Sequence, residues 1–121
     1  MTSKKTLVIG ASSNPEQYSN IAITRLLKAG HEVVAIGRGP FNIDSVEVVT
    51  EKLPFKEIHT VTLYLNESRQ KEYQDYILAL HPTRIIFNPG AENESLKQLA
   101  EKEGIEAIDA CTLVMLSIGA Y

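Results

Sequence analysis

Cysteine is nearly absent from this 121-residue chain, where Cys111 stands alone. A single thiol excludes an intramolecular disulfide and a cysteine-cluster metal site. Positive charge is not in excess either: 12 Lys and Arg against 15 Asp and Glu leave a net charge of −3. Such a chain lacks the broad basic face that general nucleic-acid binding requires, although a local cationic pocket is compatible with it. Long apolar runs are also missing. No stretch approaches the ~18–20 apolar residues of a membrane span. In the opening segment from Met1 to Gly10, Leu7–Ile9 is too short a run to serve as a signal-peptide core. The sequence therefore leads us to expect a cytoplasmic protein with neither a membrane nor a nucleic acid as partner. Repeats and low-complexity tracts are absent, nothing marks an internal boundary, and residues 1–121 read as one domain.

What is present is alternation. At 44% hydrophobic residues the chain can bury a core. Short apolar runs occur at Thr6–Ile9, Val33–Ile36, Val61–Leu65, Arg84–Phe87 and Glu106–Ile108. Most are continuously apolar, the pattern of strands buried on both faces. Between them lie helical patterns. Tyr18–Ala29 carries Ala22, Leu26 and Ala29 on one stripe and ends at Gly30. Residues 67–81 place Tyr73, Tyr76, Ile77 and Leu80 on one face as core and stop at His81-Pro82. Residues 94–103 run from an Asn93 cap to Gly104. Between Gly37 and Thr60 the pattern predicts a loop, with room for an edge strand at Val46–Val49 and one helical turn near Pro54–Ile58. Cys111–Ile118 fits either a last helix or a strand extension.

This alternation predicts an α/β, Rossmann-like, doubly wound three-layer fold around a five-stranded parallel sheet of order 3-2-1-4-5. Ligands of such sheets bind outside the carboxyl ends of the strands, at the switch point beside strand 1. The segment there is Gly10-Ala11-Ser12-Ser13-Asn14-Pro15-Glu16-Gln17-Tyr18-Ser19. Gly10 permits a tight turn, and the small Ala11, Ser12 and Ser13 leave their amides open to an anion at the positive end of the following helix. The second and third glycines of a dinucleotide loop are missing, as is any Walker sequence. The competing structural reading is a turn in which Ser12 or Ser19 caps the helix.

Val8–Ser19 resembles the opening of the small stand-alone CoA-binding proteins, whose fold is that of the CoA-binding domain of the succinyl-CoA synthetase α subunit. The likeness continues through Leu26–Ile36, Arg84–Asn93 and Gly104–Val114 and is weakest over residues 40–58. The resemblance implies a Rossmann-like CoA-binding domain without catalytic machinery of its own. It also implies that Gly10–Ser13 hold the CoA pyrophosphate, and that a basic residue after strand 2 meets a phosphate; Tyr18 and Ser19, in the same opening motif, are further candidate cofactor-binding residues. Arg38 is the matching cation where the family commonly has Asn-Pro-Lys. The third strand of relatives often ends in residues such as Phe-Arg, where this chain has Tyr64-Leu65-Asn66-Glu67-Ser68-Arg69, and some relatives have Asp-Arg-Cys where this chain has Asp109-Ala110-Cys111.

Several side chains carry two readings. Arg38, between Gly37 and Gly39, is either a solvated arginine or a phosphate clamp whose flanking glycines let the backbone approach a ligand. No acidic residue follows strand 2 to take the ribose hydroxyls of NAD, which leaves a phosphorylated ribose: CoA, or NADP as the lesser alternative. Leu65 and Asn66 would lie near the adenosine, Asn66 being first a helix cap. Asn88 could reach an adenine, a pantetheine amide or the strand-1 loop. Cys111 reads as a buried structural residue; as a nucleophile it would make the protein a small acyl-CoA-handling enzyme. His31, His59 and His81 all sit at strand entrances, away from the site and without metal-ligand spacing. The expected function is non-catalytic binding of CoA or an acyl-CoA, a small-molecule nucleotide ligand. The alternatives are an NADP-binding or acyl-CoA-handling enzyme, or a ligand-free interaction module whose apolar tail, Leu113–Ile118, meets a partner or a twin subunit.

Overall fold

The computed structural model describes residues 3–121; Met1 and Thr2, part of the opening segment read above, lie outside the described residues. Seven strands form one sheet: β1 (Thr6–Ala11), β2 (Val33–Gly37), β3 (Phe41–Ile43), β4 (Val46–Val49), β5 (Thr60–Leu63), β6 (Arg84–Phe87) and β7 (Glu106–Asp109). Their order is β3-β4-β2-β1-β5-β6-β7. All neighbours run parallel except the β3–β4 hairpin.

The helices are α1 (Tyr18–Lys28), α2 (Glu67–Gln70), α3 (Gln74–Leu80), α4 (Glu94–Lys102) and α5 (Thr112–Ser117). The continuous apolar runs are explained by burial from two sides. Leu7, Ile9, Leu63, Ile85 and Phe87 share one core with Ile77 of α3 and Leu96 and Ala100 of α4. Val8, Ala35, Val48 and Ile86 face the other way, onto Ile23 and Leu26 of α1, with Met115 and Leu116 of α5 packed against them. No helix among the described residues is long and apolar enough to cross a membrane.

The expected strand order needs correction. The third expected strand, observed as β5, pairs with β1 rather than lying beyond β2. The five expected strands therefore run 2-1-3-4-5 within a seven-stranded sheet. The place beside β2 is filled by Val46–Val49, because the short β3–β4 hairpin returns the chain there without a helical crossover. No helical turn forms near Pro54–Ile58. The chain is irregular there, with bonds between residues two apart, Leu53 N–H to Glu51 and Phe55 N–H to Leu53, and it buries Ile58.

The helix expected over 67–81 is broken by a 3-10 turn at Lys71–Tyr73. Only Ile77 of its stripe is fully buried; Tyr73, Tyr76 and Leu80 are half-buried. Ahead of the break Gln70 is fully buried. Its amide donates to the Leu65 and Ala91 carbonyls and accepts from the Asn93 side chain, which ties this turn to two neighbouring loops. The tail forms a helix, α5.

Two missing side chains set how closely the strand ends approach. Gly10 has φ +96° at a register shift in β1, and a Cβ there would lie 3.0 Å from the Tyr64 carbonyl. At Gly37 a Cβ would lie 2.3 Å from the Ala11 carbonyl oxygen.

At the opposite end of the strands a cationic cluster closes around Tyr121. The Tyr121 hydroxyl bonds Thr6 Oγ1 at 2.6 Å, and its main-chain oxygen accepts from Lys4 Nζ at 2.6 Å and Arg84 at 3.0 Å. His31 lies beside the Tyr121 ring, and its Nδ1 accepts the Lys4 N–H at 3.0 Å, which requires that nitrogen to be unprotonated. Burial, with Lys4 and Arg84 nearby, lowers the His31 pKa; His59 is lowered for the same reasons, with Glu106 opposing.

Two outcomes follow. Below pH ~6.5 the unfolded histidines bind protons that the folded ones resist, so stability falls as pH drops through the folded-state pKa values. Thermal melts between pH 7 and 5 should show this slope, and His31→Gln, which keeps an acceptor for Lys4, should flatten its His31 part; equal slopes would exclude the assignment. Separately, Gly37→Ala must push the Ala11 carbonyl aside and should destabilise the protein by about 2–3 kcal/mol in denaturant titrations.

Candidate functional site

The carboxyl ends of β1, β2, β5 and β6 surround a cavity of about 610 Å³. Its walls come from four segments: the β1–α1 loop, the residues after β2, the stretch from Tyr64 to Tyr73, and Pro89–Ala91 after β6. Of the ten residues that sequence reasoning selects, nine line it: Gly10, Ala11, Ser12, Ser13, Tyr18, Ser19, Arg38, Leu65 and Asn66. Asn88 does not.

The amide of Asn88 points inward and is committed. It donates to Thr62 Oγ1 at 2.7 Å and to the Leu63 carbonyl at 2.9 Å, and it accepts the Thr112 N–H at 2.9 Å. Thr62 and Thr112 also bond each other at 2.8 Å. Asn88 thus joins β5, β6 and the start of α5 beneath the cavity. A ligand role for it is corrected to a structural one, because a buried amide must spend its polar atoms where it sits.

The β1–α1 loop holds its own shape. The Ser12 N–H donates to Ser19 Oγ, Ser12 Oγ accepts from the Asn14 N–H, and the Ser12 carbonyl accepts from Asn20. The Glu16 N–H goes to Asn14 Oδ1, and the Gln17 N–H to the Asn14 carbonyl. Pro15 has no N–H. Among the described residues the N–H groups of Ser13, Tyr18 and Ser19 have no protein partner. The expectation that Ser12 offers its amide to an anion is therefore corrected: its hydroxyl and N–H fold the loop. Neither serine caps α1, whose N-cap is Gln17.

The glycines beside Arg38 serve the protein's own packing. Gly37 faces the Ala11 carbonyl, and a Cβ at Gly39 would lie 2.8 Å from the Phe41 nitrogen and 2.9 Å from the Val48 carbonyl. They bring β2 against β1 and β4. Arg38 itself is exposed at the cavity. Asn66 caps α2 by accepting the Arg69 N–H at 3.0 Å while also lining the cavity.

Sequence reasoning missed Gln17, Phe41, Tyr64, Arg69 and Tyr73, all of which line the cavity. Arg69 left a signal: it falls in the opening turn of the expected 67–81 helix, where the dipole disfavours a cation. Tyr73 lines the cavity from the 3-10 turn that interrupts the helix, a break that no periodicity announces. Among the described residues, Arg38 and Arg69 are the only lining side chains that carry formal charge, and no carboxylate or histidine joins them. The Tyr64 hydroxyl is buried without a partner, and burial pushes its pKa up to about 12, so it remains a neutral phenol. Cys111 lies outside the cavity lining and is half-buried, not buried as expected.

Comparison with known proteins agrees with this architecture. A solved structure of an uncharacterized protein is 40% identical, with each chain covered over 100% of its length and a TM-score of 0.96. A Thermus thermophilus protein matches at 18% identity, covering 98% of this chain and 91% of its own, with a TM-score of 0.86. A hypothetical protein from Pyrococcus horikoshii matches at 21%, covering 96% and 83%, with a TM-score of 0.85. Nothing matches among curated proteins. The family model described as CoA binding domain matches residues 4–117, nearly the whole chain, and the protein belongs to that family.

Proposed function

We propose that the protein binds CoA or an acyl-CoA in the cavity at the strand ends and does no chemistry on it. The observation that carries this reading is the charge of the cavity. A space of about 610 Å³ is lined by two arginines and no acid, at the end of a β1–α1 loop. That volume falls within the ~300–1,000 Å³ usual for small-molecule sites. Excess positive charge in a partly desolvated hollow favours a polyanion.

In this reading the diphosphate sits at the start of α1, against the free N–H groups of Ser13, Tyr18 and Ser19 and the positive end of that helix. Arg38 takes a ribose phosphate. An acidic residue there would favour NAD; an arginine favours a phosphorylated ribose. NADP meets that condition too, and membership of the CoA binding domain family favours CoA. The adenosine lies between the ends of β1 and β5, near Leu65 and Asn66.

The lining supports binding without chemistry. General acid–base work needs a group that titrates near neutrality within reach of the substrate. Among the described residues the only titratable lining groups besides the arginines are Tyr18, Tyr64 and Tyr73, and burial raises the pKa values of Tyr64 and Tyr73 further.

Calorimetric titration with CoA, acetyl-CoA, NADP and NAD tests the proposal. Heat is expected with CoA and acetyl-CoA, and no heat with any of the four at millimolar concentration would overturn it. Arg38→Ala should weaken CoA binding by ~1.5–3 kcal/mol, the range for a hydrogen bond to a charged group.

A further inference from the structure

Arg38 and Arg69 reach the cavity from different elements. Arg38 follows β2; Arg69 stands on α2, a few residues beyond β5. β2 and β5 pair with β1 from opposite sides. Neighbouring strands lie ~4.8 Å apart, so the two side chains start from strands about two spacings apart, with the β1–α1 loop between them. Neither makes an ion pair among the described residues. The Arg69 backbone is fixed by its N–H bond to Asn66 Oδ1, while its exposed guanidinium is left unpaired.

The loop between them carries no cation and few free backbone donors. From residue 12 to residue 17, the N–H groups of Ser12, Asn14, Glu16 and Gln17 are consumed within the loop and Pro15 has none. An anion at the start of α1 thus finds three free backbone N–H groups, of Ser13, Tyr18 and Ser19, with serine hydroxyls and the Gln17 side chain beside them, but no positive charge in the loop to offset two negative ones. The charge on the β5 flank of the cavity lining is Arg69.

We infer that Arg69 is a binding residue that neutralises the diphosphate, while Arg38 on the other flank holds a separate phosphomonoester. The assignment rests on the CoA reading and narrows it. The ligand class is a nucleotide with a diphosphate and a second, isolated phosphate, each read by its own arginine. A guanidinium suits both tasks because its planar fork donates two parallel hydrogen bonds to phosphate oxygens.

Binding of CoA and of dephospho-CoA, which lacks the isolated phosphate, separates the two roles. Titrations would use the full chain and its Arg38→Gln and Arg69→Gln variants, whose exposed positions spare the fold; equal melting temperatures check this. Arg69→Gln should weaken both ligands by about tenfold or more, as expected for the loss of a charge-assisted contact. Arg38→Gln should weaken CoA to a similar degree and leave dephospho-CoA unchanged. An Arg69→Gln protein that binds dephospho-CoA as the wild type does, or that loses affinity for CoA alone, overturns the Arg69 assignment and leaves the CoA reading standing. A wild-type protein that binds neither ligand overturns both.

Discussion

The carbonyl oxygen of Ala11 occupies the space where a side chain at position 37 would begin. This contact fixes the site, because it lets β1 and β2 stay paired to their last residues despite the register shift at Gly10. Gly10 does the same on the other side, where the Tyr64 carbonyl presses against it. With both glycines in place, the ends of three adjacent strands converge and the loops that leave them frame one hollow. The glycines of this chain thus work mainly for backbone against backbone. Any benefit to a ligand comes second, through where the following residues are left.

Beneath the hollow the protein spends buried polar groups on position. Asn88, Thr62 and Thr112 form a closed set of hydrogen bonds that holds the start of α5 on β5 and β6. Gln70 and Asn93 do the same for the turns after β5 and β6. Such networks are costly to break because each member left unpaired in the interior pays full desolvation.

Much of this architecture was legible in the residues. Continuous apolar runs located five strands because burial on two faces leaves no alternation to misread. Gly30 and Gly104, both at positive φ, and the Asn93 and Asn66 caps marked helix ends by local chemistry alone. The β1–α1 loop and Arg38 were legible for the same reason, since they follow strands directly. Strand order was not, because nothing local distinguishes a strand that pairs beyond β2 from one that pairs with β1. The hairpin Phe41–Val49 decided it, and its strands of three and four residues carry little pattern. Asn88 was misjudged because a sequence gives the position of an amide and not its direction. Arg69 and Tyr73 depend on Gln70, a polar residue whose complete burial is set by partners 5 to 23 positions away.

The abutment of Ala11 on Gly37 has a kinetic meaning as well. Two strand ends braced against one another have no slack to lose when a guest arrives, so little ordering entropy is spent at that wall. Arrival then amounts to docking onto a finished surface, as in most preorganised complexes. Differences among guests should be expressed in how long each one stays.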